Sequence, residues 1–323
     1  MNGIQVLDRP ASQSFYAVAG RLLFVQSFDL KLATLIEDLF AGWQLTRLSL
    51  PTRNHDIEIT FSCGENLPQV PPGLNEFEVA EGGRCYSAGH EYYLQFAASL
   101  VHLTADENLV EVAVWVRNAP FPSAAELARV TSFAVCAALR RFGMFDLHGA
   151  GAVVPESETG VLIIGPSGSG KSTLTSNLAT AGWSYLSDDE LLLSLNDDEV
   201  EARGFRSFFA LRPAESESSL KTRFEPAEVF AAPRIDLVIP RFIFFTTISN
   251  ANETKLQELM QAETMSRLIR ACPWATYDTA IAGPNLELLS RLARQTKGFE
   301  LTAGTDLLNP DRASRLIKSA CRS

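Results

Sequence analysis

The residues with the clearest chemical meaning form a glycine-rich stretch near the middle of the chain. It reads Gly165-Pro166-Ser167-Gly168-Ser169-Gly170-Lys171-Ser172-Thr173 and satisfies the pattern G-x-x-x-x-G-K-[ST]. The glycines let the backbone turn tightly, so that successive amides point at phosphate oxygens. Lys171 would bring a cation to the outer phosphates, Ser172 would offer a hydroxyl to magnesium, and Thr173 is a spare hydroxyl. The motif, a P-loop, therefore predicts binding of a nucleoside triphosphate with Mg²⁺.

The flanking segments place this loop between a buried strand and a helix. Residues 160–164 are apolar after the opening glycine, which is typical of a strand buried on both faces of a sheet. Leu174 and Leu178 follow at helical spacing, and Gly182 can end that helix. A helix that begins near Lys171 would add unpaired amides and a positive dipole end. This order of elements predicts an α/β fold.

Two aspartates follow the next predicted strand. Residues 184–186 read as a strand that ends in Ser187-Asp188-Asp189. Ligands of open α/β sheets bind beyond the carboxyl ends of strands, so this pair would lie at the phosphate site. One carboxylate could hold magnesium and the other could take a proton from an acceptor hydroxyl, since neighbouring carboxylates need not titrate alike. The alternative is a solvated strand end.

Two further candidates lie on flanking strands. His148 opens the strand at 147–154, and its imidazole would lie near the terminal phosphate if that strand neighbours the loop strand. A lone histidine beside apolar residues is more often a core histidine, which is the alternative. Glu201 lies on the return strand 199–205 of a hairpin, which would bring it toward Asp189. An exposed strand glutamate fits the pattern equally well.

Taken together, these motifs resemble the catalytic domain of bacterial HPr serine kinase/phosphorylase. The resemblance rests on Leu147-His148-Gly149-Ala150, on the loop strand, on Ser187-Asp188-Asp189, and on Val200-Glu201-Ala202-Arg203-Gly204, which is similar to the family's E-x-R-G motif. It covers roughly residues 140 to 310. It implies a PEP-carboxykinase-like P-loop architecture for the catalytic domain.

The resemblance also implies a role for each candidate. Catalysis would rest on Lys171, on Asp188 as the base toward a serine hydroxyl, and on His148 beside the transferred phosphate. The metal ligands would be Ser172, Asp189 and Glu201. A cation that stabilises the moving phosphoryl group is also needed, and the candidates are Arg206, Arg212, Arg234 and Arg241.

The chain departs from the family inside the shared motifs. Thr173 stands where the family usually has an acidic residue, and Ser169 stands where it usually has an aliphatic one. Residues 205–208 lack the second glycine that the family has after Gly204. The acceptor is therefore expected to be a serine-type hydroxyl of a protein, a peptide or a small molecule, and phosphorylase activity stays open.

Composition narrows the range of partners and compartments. The chain has 323 residues, a formal net charge of −10 and scattered cysteines, 5 in number, without CxxC spacing. An acidic surface disfavours nucleic acid and anionic membranes. Neither a zinc site nor a disulfide framework is predicted. No signal-peptide pattern opens the chain, and no apolar run reaches the roughly 18 residues of a membrane span, so a cytoplasmic location is expected.

The chain is predicted to form two domains, with the boundary after residue 120. Residues 1–120 read as a smaller α+β domain of unknown role, and residues 121–323 as the P-loop kinase domain. Ser123 and Glu126 stand in capping-box positions that open a helix to about Arg141. Structural roles are expected for the remaining histidines, which are His55, His90 and His102.

Three functions are compatible with these motifs. The first is a Mg²⁺- and ATP-dependent kinase that acts on a hydroxyl. The second is a non-catalytic ATP-binding regulator, in which the nucleotide orders the N-terminal domain for a partner. The third is a plain NTPase, although the chain lacks an ABC signature and an N-K-x-D motif. The aspartate pair favours transfer, and the family resemblance alone suggests a homo-oligomer.

Overall fold

The computed structural model describes residues 9–50, 54–79, 82–89, 91–211 and 222–322. The strands are β1 Ser12–Val18, β2 Arg21–Ser27, β3 Thr46–Leu48, β4 Ile57–Gly64, β5 Asn75–Val79, β6 Gly83–Ala88, β7 Glu91–Gln95, β8 Ser99–Ala105, β9 Val110–Arg117, β10 Met144–Val153, β11 Gly160–Ile164, β12 Ser184–Ser187, β13 Glu190–Asn196, β14 Glu199–Gly204, β15 Phe209–Leu211, β16 Thr222–Phe224, β17 Leu237–Val238, β18 Pro240–Ile248, β19 Lys255–Leu259 and β20 Lys297–Ala303. The helices are α1 Leu30–Ala41, α2 Ala124–Arg140, α3 Lys171–Thr180, α4 Pro226–Val229, α5 Gln261–Ala271, α6 Trp274–Tyr277, α7 Thr279–Gln295 and α8 Pro310–Ala320.

The chain divides into two compact units. The first comprises residues 1–142 with 276–282, and the second comprises residues 143–275 with 283–323. The first division falls after Phe142 and not after residue 120 as expected. Helix α2 explains the difference, because it packs against strands β4, β8 and β9 of the first unit.

The start of helix α2 shows how it is fixed to that sheet. Ser123 caps the helix and accepts a hydrogen bond from the Glu126 amide at 3.1 Å. The Glu126 carboxylate does not complete the predicted capping box. It accepts instead from the Ala98 amide at 3.1 Å and from the Ser99 hydroxyl at 2.6 Å. The carboxylate thus ties the helix to the beginning of β8.

A nine-stranded sheet dominates the first unit, in the order β3-β1-β2-β4-β9-β8-β7-β6-β5. Strand β4 runs parallel to β2 and β9, and the other neighbours are antiparallel. Along β9, buried residues alternate with more exposed ones, as in a sheet with one face packed against a core. The histidines His55 and His102 have the expected structural contacts, an ion pair with Glu58 and a stack on Tyr93.

The sheet of the second unit carries the P-loop. Its order is β17-β14-β13-β10-β11-β18-β20-β19, and β12 also pairs with β10. Strands β11, β18 and β20 are parallel, and β10 is antiparallel to β11. Residues Val161 to Ile164 are buried, as predicted for the strand before the loop. The α/β class predicted from the sequence is confirmed by these mixed sheets and their helices.

Helices α3 and α8 pack together over this sheet. Trp183 lies fully buried in their core, and its indole N–H donates to the Ser314 hydroxyl at 2.9 Å. A buried indole needs such a partner, because an unsatisfied donor costs free energy. The same core contains Ala150, Ala152, Val161, Ile163, Leu174, Leu178, Phe244, Phe299, Leu301, Ala313 and Ile317.

The sequence also predicts helices over residues 257–270 and 285–295, and both elements have different bounds in the structure. Residues 255–259 form strand β19, and helix α5 begins only at Gln261, whereas the sequence predicted a helix over 257–270. Pairing with β20 decides the conformation of this short segment. The last predicted helix, 285–295, is longer than expected and spans 279–295.

The five cysteines all lie in the described part of the chain, and none of them forms a disulfide there. Cys85, Cys136 and Cys272 are buried, while Cys63 and Cys321 are partly exposed. Burial raises the pKa of the Cys85 thiol to about 11 and that of Cys321 to about 12. Within the part of the chain that the structure describes, no helix is long and apolar enough to cross a membrane. His90 and Arg212 lie outside that part.

The start of strand β11 offers a test of the packing that supports the loop. A Cβ added at Gly160 would meet the Ile239 carbonyl oxygen at 2.6 Å and would also collide with Val238. We expect Gly160→Ala to lower the free energy of unfolding by about 1–3 kcal/mol through overpacking. Urea unfolding followed by tryptophan fluorescence measures this loss, with buried Trp183 as a reporter in the same unit.

The matched control for this prediction is Gly283→Ala on helix α7. Apart from its chain neighbours and the backbone of its own helix, no atom lies within 4 Å of the Cβ that this change adds. Alanine gains up to about 1 kcal/mol over glycine inside a helix, but the ring of Pro284 opposes this gain at the preceding residue, so we expect a net change of less than about 1 kcal/mol. Equal urea midpoints for the two variants would contradict the packing argument.

Candidate functional site

The P-loop joins the carboxyl end of β11 to the amino end of α3. Gly168 and Gly170 have φ angles of +82° and +91°, a left-handed region that side chains rarely adopt. Gly165 is needed for a different reason. A Cβ there would lie 2.5 Å from the Ser169 hydroxyl and 2.7 Å from the Thr246 carbonyl oxygen. The glycines of the motif are therefore required by the loop itself.

Four backbone amides of the loop have no hydrogen-bond partner among the described residues. The N–H groups of Gly168, Gly170, Ser172 and Thr173 make no hydrogen bond to any residue that the structure describes. Such orphan donors at a helix N-terminus attract anions, and the helix dipole adds to the attraction. The loop is therefore shaped for phosphate oxygens.

The ammonium group of Lys171 is turned back onto its own loop. Its Nζ donates to the Gly165 carbonyl at 2.7 Å and to the Pro166 carbonyl at 3.1 Å, and the residue is only 5% exposed. It also lies 2.9 Å from Nε2 of His148. An ammonium has no lone pair, so His148 Nε2 must be the acceptor in this contact.

His148 links the lysine to a carboxylate. Because Nε2 accepts from Lys171, the imidazole proton is assigned to Nδ1, which lies 3.5 Å from Asp189 Oδ1. The side chains of His148 and Asp189 are 47% and 40% exposed. A cation, a neutral imidazole and a solvent-accessible carboxylate are thus arranged in series beside the loop.

Strand pairing explains why the two aspartates lie here. Strand β12 pairs with β10 up to the register pair Gly151–Ser187, and β13 resumes the pairing at His148–Glu190. Asp188 and Asp189 fill the interruption between these two pairs. One bridging contact remains, in which the Gly149 amide donates to the Asp189 carbonyl at 3.0 Å. The interruption brings Asp189 to the level of the loop.

Asp188, which the sequence suggested as a base, lies in the protein interior. It is 1% exposed, and its Oδ2 accepts from the Ala210 amide at 3.1 Å. The Ser172 hydroxyl contacts the Asp188 carbonyl oxygen at 3.5 Å. The hydrogen bond to Ala210 ties Asp188 to strand β15, and a role as the base stays a prediction.

Glu201 is not brought to Asp189, and that expectation is wrong. The hairpin register pairs Glu201 with Ser194, five positions along the strand from Asp189. At about 3.3 Å per residue this is roughly 16 Å. Glu201 instead accepts from Asn196 at 2.7 Å and from Arg203 at 3.2 Å.

Among the candidate arginines in the described part of the chain, Arg206 is linked to the register partner of His148. Its guanidinium contacts the Glu190 carboxylate at 2.8 Å, and both side chains are 15% exposed. Glu190 is the register partner of His148, and paired residues project their side chains from the same face. Arg241 pairs with Glu199 beside the amino end of β11, at the opposite edge from the loop. Arg234 is exposed near Tyr185.

Two supporting residues were missed from the sequence. Thr246, 2% exposed, lies on β18, and its hydroxyl is 3.0 Å from the Ser169 hydroxyl. It is a polar residue near the end of an apolar strand, and that pattern could have revealed it. Glu190 directly follows the aspartate pair, but its ion pair with Arg206 depends on strand register.

Comparison with known proteins adds little to this geometry. No protein-family model and no curated protein matches the chain. The solved HPr(Ser) kinase/phosphatase from Coxiella burnetii is similar over 55% of this chain and 97% of its own, at 10% identity and a TM-score of 0.32. A structural similarity this low does not support a functional assignment, which therefore rests on the site itself.

The two aspartates should respond differently to substitution. Asp188→Ala removes a buried carboxylate that accepts from the Ala210 amide and should lower the free energy of unfolding by about 1–3 kcal/mol. Asp189→Ala removes a carboxylate that is 40% exposed and should change it by less than about 0.5 kcal/mol. Urea unfolding of both variants tests the difference. Equal losses would contradict a structural role for Asp188.

Proposed function

We propose that this chain is a Mg²⁺- and ATP-dependent phosphotransferase that acts on a serine-type hydroxyl of a protein, a peptide or a small molecule. The observation that carries the proposal is the series formed by Lys171, His148 and Asp189, with 2.9 Å and 3.5 Å between successive groups. A loop that only binds nucleotide needs the lysine. It does not need a neutral imidazole oriented by a carboxylate beside it.

The loop accounts for the nucleotide half of the reaction. Its unpaired amides bind phosphate oxygens. The Lys171 ammonium gives up its hydrogen bonds to two backbone carbonyls and donates to the outer phosphates instead. Charge-assisted hydrogen bonds to phosphate are stronger than those to neutral carbonyls, so nucleotide draws the ammonium forward. That movement releases Nε2 of His148.

His148 and Asp189 account for the acceptor half. Once free of Lys171, Nε2 can accept the proton of an acceptor hydroxyl. Asp189 then stabilises the imidazolium through Nδ1, in the manner of a carboxylate that orients a catalytic histidine. In a loose phosphoryl-transfer transition state, a base contributes less to the rate than the positioning of the acceptor hydroxyl does.

The site also fits magnesium. The Ser172 hydroxyl and the Asp189 carboxylate are oxygen donors, the type that Mg²⁺ prefers, and they would hold the ion. Bound magnesium would neutralise charge on the outer phosphates. Glu201 is left out of this set because its register places it elsewhere.

Arg206 is proposed as the cation that stabilises the transferred group. Its guanidinium is held by Glu190, on the strand that pairs with His148. A pre-positioned cation stabilises developing charge at little reorganisation cost. The PEP-carboxykinase-like architecture is proposed for the second unit from the motif resemblance alone.

The direct test is transfer from γ-labelled ATP to components of a cell extract, separated into protein, peptide and small-molecule fractions. Lys171→Ala and His148→Gln should each lower label transfer by about 10²-fold or more. The control is Arg241→Gln, which removes a charge remote from the loop and should leave the rate unchanged. Transfer that survives Lys171→Ala would exclude this loop as the site.

Two other results would favour one of the alternative functions, a nucleotide-dependent regulator or a plain NTPase. A protein that binds ATP by calorimetry but labels no fraction is a nucleotide-dependent regulator. A protein that releases labelled phosphate to water, with or without extract, is an NTPase. The proposed kinase function requires that an acceptor becomes labelled and that this labelling depends on His148.

A further inference from the structure

The first unit contains a cavity that has no part in the proposed transfer reaction. It has a volume of about 590 Å³ and lies between residues 67–74 and strands β5, β6, β7 and β9. Pockets for organic ligands in proteins commonly span about 300–1,000 Å³, so the size suits a short peptide or a similar molecule. All of its lining residues belong to the first unit.

Arg117, at the end of β9, contributes a positive charge to this cavity. Its Nε atom is buried and has no hydrogen-bond partner among the residues that the structure describes. A buried donor without a partner costs about 1–3 kcal/mol, and most buried donors in native structures are paired. The missing partner is therefore expected to be an external anion.

Arg84 provides a contrast on a neighbouring strand. It faces Gln95 across the β6–β7 ladder and forms an ion pair with Glu76 at 3.3 Å. Its side chain is 57% exposed and does not line the cavity. Of these two cations, only Arg117 combines a buried nitrogen with a position in the cavity wall.

The wall opposite the strands is a proline-rich segment, residues 67–72, which includes Pro68, Pro71 and Pro72. Within the described chain, this segment makes no backbone–backbone hydrogen bond. Prolines hold an extended backbone at little further entropic cost, and the remaining amides and carbonyls can pair with an extended chain. Gln95 and Tyr86 add side-chain donors and acceptors on the other wall.

We propose that this cavity binds the carboxylate of an extended peptide, with Arg117 as its anchor. A guanidinium holds a carboxylate through two parallel hydrogen bonds, and the one positive charge of Arg117 matches a monoanion. The carboxylate of Glu76 on the cavity wall disfavours a dianion such as phosphate. The carboxylate can belong to a peptide C-terminus or to an acidic side chain.

Calorimetric titration of the full-length protein distinguishes these sources. The probes are N-acetyl tetra-alanine with a free C-terminus, its C-terminal amide, the amide of N-acetyl Ala-Asp-Ala-Ala, acetate and inorganic phosphate. At least one carboxylate peptide should bind at least tenfold more tightly than the neutral amide and acetate. The free-terminus probe or the aspartate probe then identifies the source. Equal binding of the neutral amide, or tighter binding of phosphate, would overturn the proposal.

The anchor is tested with Arg117→Gln and the control Arg47→Gln, which changes an exposed arginine of β3 that pairs with Glu37 and does not line the cavity. The first should weaken binding of the carboxylate peptide at least tenfold, while the second should leave it unchanged. Unaltered binding by Arg117→Gln refutes the anchor. The comparison of peptides on the wild-type protein needs no variant, so it decides the question even if Arg117→Gln does not fold. Both measurements are independent of phosphoryl transfer.

Discussion

The second unit is organised around the position of one ammonium group. Lys171 is almost completely buried, and two loop carbonyls and the imidazole of His148 surround its ammonium group. A buried charge without such partners would cost several kcal/mol. The left-handed glycines, the absence of a Cβ at Gly165 and the tautomer of His148 all serve this arrangement. The phosphate oxygens of a bound nucleotide must therefore bind the ammonium more strongly than the loop carbonyls do.

The sequence was sufficient for the parts of this site that depend on local chain geometry. The buried strand, the glycine turn and the helix from Lys171 are encoded by consecutive residues, and the structure has all three. The contact of His148 with Lys171 required only that β10 neighbour β11. Such features are predictable because the physical cause lies within a few residues or one strand pairing.

The failures share a different cause. Glu201 was misplaced because hairpin register cannot be read from alternation alone, and a few positions along a strand amount to many ångströms. Asp188 and Asp189 looked equivalent in the sequence, although one is buried against Ala210 and the other faces solvent. The partner of Glu126 lies on another element, so a local capping rule could not identify it. Each error concerns which distant group a polar side chain meets.

The interruption between β12 and β13 has a consequence for how this site can vary. Asp188 and Asp189 lie opposite two residues of β10, so the strand pairing resumes without a shift at His148–Glu190. Because side chains alternate along a strand, deletion of one residue would turn Glu190 toward the opposite face and bring Leu191 in its place. The connection therefore acts as a fixed-length spacer. Substitutions in this connection should be tolerated more easily than insertions or deletions. An alignment of related sequences should therefore keep its length of two residues constant.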